Sequence, residues 1–257
     1  MNVTNNLGFA LAGQGKLLEA FDHYFKALRI KPDYAEPHYN LGNAFKRQGH
    51  TEEAIDHYSQ AIQIKPDYLE AHNNLGITLM DQGRVKEAIG HYSEAIRINP
   101  NYPETYFNLG NVLKRQGKIV EAIDRFSTAI LIKPDYAEAH NNLGNALKMV
   151  GKVEEAITHY YEALRIKSEY EEAHYNLGNA FLRQGNLSKA VLHYSEALRI
   201  KPDYAEAQNN LGAALEGQGK LEEAITRYAN ALRIKPDYLV AQRNLKRALQ
   251  LLRNPIR

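Results

Sequence analysis

The sequence predicts an all-α chain, a solenoid built from stacked helix–turn–helix units, and three observations predict it. First, Gly8, Gly42, Gly76, Gly110, Gly144, Gly178 and Gly212 lie 34 residues apart. Gly15, Gly49, Gly83, Gly117, Gly151, Gly185 and Gly219 form a second series with the same step; together the two hold 14 of the 17 glycines, so glycine serves a recurring geometry. Second, Ala20 and Ala27 recur without exception through Ala224 and Ala231, and Pro32 recurs through Pro236 except where Ser168 stands. Third, apolar residues inside each unit fall at helical spacing. The chain divides into seven units, 1–34, 35–68, 69–102, 103–136, 137–170, 171–204 and 205–238, followed by a terminal capping helix and short tail at 239–257.

In the unit 35–68, Leu41, Gly42 and Phe45 mark one face of a first helix, and Ala54, Ile55, Tyr58, Ala61 and Ile62 mark one face of a second. Gly49 is placed to end the first helix because it tolerates positive φ. Pro66 ends the second by disfavouring helical geometry at Lys65. Gly42 and Ala54 let the paired helices approach closely, and Ala61 does the same towards the next unit. The tyrosines Tyr34, Tyr68, Tyr102, Tyr136, Tyr170, Tyr204 and Tyr238 close the units, with rings expected at the junctions and hydroxyls towards water. One hairpin cannot bury its apolar face alone, so the units must stack. In the last segment Leu245, Leu249 and Leu252 are expected to cover the final hairpin while Lys246, Arg247, Gln250 and Arg253 face water. Met1 leads directly into the first helix with no cap before it, as in a piece of a longer protein or an end that self-associates.

Composition narrows the function. The chain of 257 residues carries 32 Lys+Arg against 30 Asp+Glu and no cysteine. Near-balance of charge argues against a non-specific nucleic-acid binder. The missing cysteines exclude disulfides, thiolate zinc sites and thiol catalysis. No apolar run approaches the ~18 residues a membrane span needs, and the segment from Met1 to Asn6 has no signal-peptide character. A cytoplasmic protein without membrane or nucleic-acid partners is the expectation.

The pattern Leu-Gly-x-x-[Leu/Phe], followed by Ala, Tyr, Ala and Pro at fixed offsets, resembles the tetratricopeptide repeat (TPR) over essentially the whole chain. The resemblance implies a right-handed superhelix whose first helices line a concave groove for a peptide or partner protein. One departure from the family pattern is the missing Trp early in each first helix, where His38, His72, Tyr106, His140, His174 and Gln208 stand. That substitution implies a smaller, wetter contact on the same fold.

No catalytic constellation is visible. Nine of the ten histidines are locked to the repeat, His23, His57, His91, His159 and His193 at one offset and His38, His72, His140 and His174 at another. A catalytic site needs one special cluster, so repeat packing or a solvated face is the reading for them. Gly-Gln-Gly-Lys at 13–16 and 217–220 lacks the phosphate-loop spacing and is followed by Leu17 or Leu221. Glu36, Glu70, Glu104, Glu138, Glu172 and Glu206 sit in first helical turns, where the helix dipole favours them. No metal site, cofactor or enzymatic activity is expected.

Asparagine is the informative residue. Asn6, Asn40, Asn74, Asn108, Asn142, Asn176, Asn210 and Asn244 share one offset in every unit, although Asn is less favourable than Ala inside a helix by up to ~0.7 kcal/mol. A side-chain amide donates and accepts, so it can pair with a peptide backbone whatever side chains that peptide carries. The run is similar to the asparagine ladder in the repeat domain of O-linked N-acetylglucosamine transferase. First helices roughly 10 Å apart would match about three residues of extended chain. The alternative is that each Asn bonds its own or a neighbouring unit and stabilises the stack.

Net hydrogen bonds contribute about 0.5–1.5 kcal/mol each against an association cost of about 4–15 kcal/mol, so further anchors are required. Tyr39, Phe107 and Tyr175 alternate with Asn73, Asn141 and Asn209 at the preceding offset, and the same aromatic units carry Arg47, Arg115 and Arg183. Asn43, Asn111, Asn145 and Asn179 add polar contacts. These sixteen groups, with Asn40 to Asn210 as the ladder, are the expected peptide site, although duplication of units in pairs would also produce the alternation. The expected partner is a protein or peptide, held by a chain that is a monomer or weakly self-associates end to end. Other readings are the substrate-selecting arm of a glycosyltransferase whose catalytic domain lies elsewhere, and an end-to-end self-assembling module.

Overall fold

The computed structural model describes residues 2–253, which form fifteen α-helices joined by short turns, with no strand among the described residues. They fall into two compact bodies, residues 1–132 and 133–257. The first holds α1 (Asn2–Gly13), α2 (Leu17–Ile30), α3 (Ala35–Arg47), α4 (Thr51–Ile64), α5 (Leu69–Asp81), α6 (Val85–Ile98), α7 (Pro103–Arg115) and α8 (Ile119–Ile132). The second holds α9 (Ala137–Met149), α10 (Val153–Ile166), α11 (Glu171–Arg183), α12 (Leu187–Ile200), α13 (Ala205–Gly217), α14 (Leu221–Ile234) and α15 (Leu239–Arg253). Odd-numbered helices are the first helices of the repeats, and each is followed by its second helix.

The boundaries follow from local chemistry. After α3 the His50 N–H reaches the Phe45 carbonyl at 3.0 Å and the Gly49 N–H reaches the Lys46 carbonyl at 3.0 Å. That pair of bonds is a Schellman motif, and it needs the left-handed backbone Gly49 adopts at φ 81°. At the other end of the hairpin α4 stops at Ile64, and Lys65 turns extended at φ −130° ahead of Pro66.

Each repeat closes around one aromatic side chain. Tyr58 on α4 is fully buried, and a Cβ on Gly42 would lie 2.6 Å from its ring. Gly42 therefore gives the Tyr58 ring its seat, a more specific role than a general close approach of helices. Ala54 and Ala61 on α4 are also fully buried. Lys65 places its ammonium 4.7 Å from the centre of the Tyr68 ring, and Lys167 does the same over Tyr170 at 4.6 Å.

Two expectations need correction. Tyr170 is buried and its hydroxyl faces the Asn141 amide at 3.5 Å instead of water. In α15 it is Ala241 and Ala248 that are fully buried, while Leu249 and Leu252 stay 38% and 45% exposed. α15 packs on α13 and α14 and has no helix on its far side, so its buried stripe is narrow and the small residues fill it. Residues 254–257 of the expected tail, and Met1, lie outside the described residues.

Candidate functional site

Within the first body α1, α3, α5 and α7 touch in succession, and within the second so do α9, α11, α13 and α15; inside each body the consecutive second helices do not approach one another. The first helices are thus the closely spaced side of each stack, and the expected site residues lie on them.

The recurring Asn forms the joint between repeats. Asn40 Nδ2 donates to Asn5 Oδ1 at 3.0 Å, Asn108 to Asn73 at 3.1 Å, Asn176 to Asn141 at 2.9 Å and Asn244 to Asn209 at 2.9 Å. Where the preceding position is aromatic the joint changes. Asn74 Nδ2 donates to the Tyr39 hydroxyl at 3.1 Å and to Asn43 Oδ1 at 2.9 Å; Asn210 repeats this on Tyr175 at 3.2 Å and Asn179 at 2.9 Å. The alternation of Asn and Tyr along the chain is therefore an alternation of joint types. Asn40 and Asn176 are buried; Asn74, Asn108, Asn142 and Asn210 are half-buried. The Oδ1 atoms of Asn40, Asn74, Asn108 and Asn176 accept no hydrogen bond among the described residues, and of these only Asn74 and Asn108 belong to half-buried side chains.

Tyr39 and Tyr175 are not free-standing anchors. Tyr39 lies 5.0 Å from the Tyr68 ring and 6.0 Å from Tyr58, and Tyr175 lies 4.8 Å from Tyr204 and 6.0 Å from Tyr194. Phe107 packs against Phe126 at 6.0 Å. Burial raises the pKa of Tyr39, opposed by its bonds to Asn43 and Asn74, so the hydroxyl stays protonated. Arg47 is committed to the Ala12 carbonyl at 2.9 Å. Arg115 and Arg183 are exposed at the ends of α7 and α11.

One turn further along the first helices, Asn43, Asn145 and Asn179 accept from the hydroxyls of Tyr58, Tyr160 and Tyr194 at 2.7, 2.9 and 2.8 Å. Their oxygens face inward, which turns their NH₂ groups outward. Asn111 holds the same offset in the repeat where Phe126 replaces the tyrosine and has no hydroxyl to offer.

Models of the repeat family match nearly the whole chain. The model described as TPR repeat matches residues 8–49, 43–83, 78–117, 110–151, 150–185 and 178–219, and the one described as tetratricopeptide repeat matches 205–238. The chain belongs to the tetratricopeptide repeat family. Among solved structures, the APC/C hetero-tetramer Cut9-Hcn1 superposes with a TM-score of 0.75 at 19% identity, covering 96% of this chain and 54% of that one. This TPR chain thus spans about half the length of that structure's chain. YrrB, titled a TPR protein with an unusual peptide-binding site, gives 0.61 at 21% identity over 74% of this chain and 97% of its own. Pseudomonas aeruginosa pilF gives 0.75 at 19% identity over 83% and 97%. A search of curated protein sequences finds no match.

The histidines of these TPR units form pairs that sequence reasoning missed. His38 and His57 face each other with Nδ1 atoms 3.1 Å apart; His72–His91, His140–His159 and His174–His193 do so at 3.0, 3.0 and 3.2 Å. In two of them the outer nitrogen of the first ring donates to a proline carbonyl, His72 to Pro66 at 3.1 Å and His140 to Pro134 at 3.2 Å. That leaves their Nδ1 as the acceptor, so the facing His91 and His159 donate their Nδ1–H to it. The signal was available, since both offsets carry His in the same four repeats. Among the described residues no group of three His, Asp or Glu side chains is placed to hold a metal.

Proposed function

We propose that this TPR chain is a scaffold that holds an extended peptide, or an extended segment of a partner protein, along its first helices. The observation that carries the reading is the set of polar groups left over once the joints are made. These are the NH₂ groups of Asn43, Asn145 and Asn179, the carbonyls of the half-buried Asn74 and Asn108, and the guanidinium groups of Arg115 and Arg183. Within the second body Asn145 on α9 and Asn179 on α11 present such donors on neighbouring first helices, as a peptide backbone needs. The peptide-binding site named for YrrB and the assembly named for Cut9-Hcn1 support the same class of function.

The ladder acts first as a joint and second as a row of acceptors. Neutral hydrogen bonds of about 0.5–1.5 kcal/mol each cannot alone cover association, so the arginines, at about 1.5–3 kcal/mol per charged hydrogen bond, contribute the larger increments.

The test uses uncharged peptides selected by display against the chain. Asn145→Asp combined with Asn179→Asp keeps the oxygens that accept from Tyr160 and Tyr194 and removes the outward N–H groups. Affinity should drop about tenfold, the equivalent of about 1.4 kcal/mol, with melting unchanged. Unchanged affinity, or peptides that crosslink only to second helices, would overturn the proposal.

A further inference from the structure

At Phe9, Ile77 and Ala213 the first helix offers no amide to the tyrosine of its own repeat, and the break at Ile77 opens on a cavity. Tyr92 on α6 belongs to the series of Tyr58, Tyr160 and Tyr194, whose hydroxyls donate to an Asn of their own repeat. In the repeat of Tyr92 that position is Ile77, which accepts nothing. Tyr92 is 2% exposed, makes no hydrogen bond among the described residues, and lines a cavity of about 350 Å³ between α5 and α7. Asn111, on the opposite wall, has lost its hydroxyl partner because Phe126 stands where the other repeats have Tyr. Two breaks in the repeat therefore leave the Tyr92 hydroxyl without its amide acceptor and the Asn111 amide without its hydroxyl donor, both lining one cavity.

The charges around that cavity have a sign. Lys114 and Arg115 line it, with the Lys114 ammonium 5.7 Å from the centre of the Phe126 ring. Asp81 also lines it but is already matched by Lys46 at 3.8 Å. Among the described residues Arg115 makes no hydrogen bond to a carbonyl of the kind Arg47 makes to Ala12. Ile77 and Val112 supply an apolar wall.

We propose that this cavity is the specificity pocket for a glutamate side chain of a bound peptide. The methylenes lie on Ile77 and Val112, and the carboxylate accepts from the Tyr92 hydroxyl and the Asn111 amide under the Arg115 guanidinium. An apolar stem with an anionic head is the shape of that side chain, and charge-assisted hydrogen bonds to a carboxylate are the strong kind. The assignment rests on the proposal that peptides lie along the first helices, and it adds which residue they must carry.

The probe is a terminally blocked glutamate, N-acetylated and N-methylamidated, titrated by NMR against the blocked glutamine. Saturable shifts at the Asn111 side-chain amide are expected for glutamate, with glutamine at least fivefold weaker. Tyr92→Phe, a residue already accommodated as Phe126, should weaken glutamate binding by a similar factor. So should Ile77→Asn, which restores the internal acceptor and claims the hydroxyl. Equal binding of the two probes, or Tyr92→Phe and Ile77→Asn variants that fold and bind like the parent, would overturn the proposal. Inorganic phosphate that saturates the same amide more tightly than glutamate would also overturn it, in favour of a phosphorylated ligand. Display-selected peptides that bind without preferring glutamate would sink this assignment and leave the peptide-binding proposal standing.

Discussion

Acid should loosen this scaffold through its histidine pairs before its carboxylates titrate fully. Burial and the facing His38 push the pKa of His57 down to about 4, and burial with His174 does the same to His193. Burial also lowers His38, His91, His140, His159 and His174. The depressed values fix the sign. Above pH 6.5 folded and unfolded chains are both neutral at these rings. Between 6.5 and about 4 the unfolded chain takes up protons that the folded chain refuses, so stability falls as the pH drops through that window and levels off below it. A displacement from 6.5 to about 4 corresponds to about 3 kcal/mol at full strength. The rings are partly solvated, which reduces this to about 1–2 kcal/mol each.

The assay is denaturant unfolding at a series of pH values, compared with a variant in which the four pairs carry the Gln and Arg that repeat 7 uses naturally at Gln208 and Arg227. Between about pH 7 and pH 4.5 the parent should lose about 2–4 kcal/mol and the variant clearly less. Glu94, Glu162 and Glu196, which face the pairs, have pKa values lowered chiefly by hydrogen bonds from Arg97, Arg165 and Arg199, so their contribution persists in both proteins. Equal acid sensitivity of parent and variant would refute the reasoning, since the loss would then belong to carboxylates.

Two further changes probe the core. Gly42→Ala should destabilise by about 1–3 kcal/mol because its Cβ would meet the buried Tyr58 ring at 2.6 Å; a thermal melt unchanged from the parent contradicts the seat assigned to that ring. Phe126→Tyr should be stabilising or neutral, up to about 1 kcal/mol, since the new hydroxyl reaches Asn111 as Tyr58 reaches Asn43. A marked loss of stability in denaturant unfolding would show that the amide is not positioned to accept.

The repeat, the helices and their ends were legible because glycine, alanine and proline mark them with a fixed period. Gly49 and Pro66 act through their own backbone chemistry, which needs no knowledge of the neighbours. The orientation of the amides was not legible. Asn73 and Asn74 differ by about 100° around the helix, and a rotation of that size decides whether an amide meets the next repeat or a guest. The recurring offset marks the donors of the joint, while Asn73, Asn141 and Asn209 are its acceptors, a role the period alone does not assign. Tyr39 and Tyr175 were read as anchors for the same reason. Their ring partners Tyr68 and Tyr204 come from the following turn, and no spacing rule places a turn residue over a helix face.

A double-mutant cycle between Asn141 and Asn176 tests the account most directly, because it asks whether the ladder amides clamp successive repeats. Asn141→Ala, Asn176→Ala and the pair are compared in the free energy of opening α11, read from hydrogen exchange. With Asn176 Nδ2 bonded to Asn141 Oδ1 at 2.9 Å and both side chains buried, each single change strands a partner. The pair should therefore cost about 1–2 kcal/mol less than the sum of the singles. Costs that add to within about 0.3–0.5 kcal/mol would contradict the joint and return the amides wholly to the ligand.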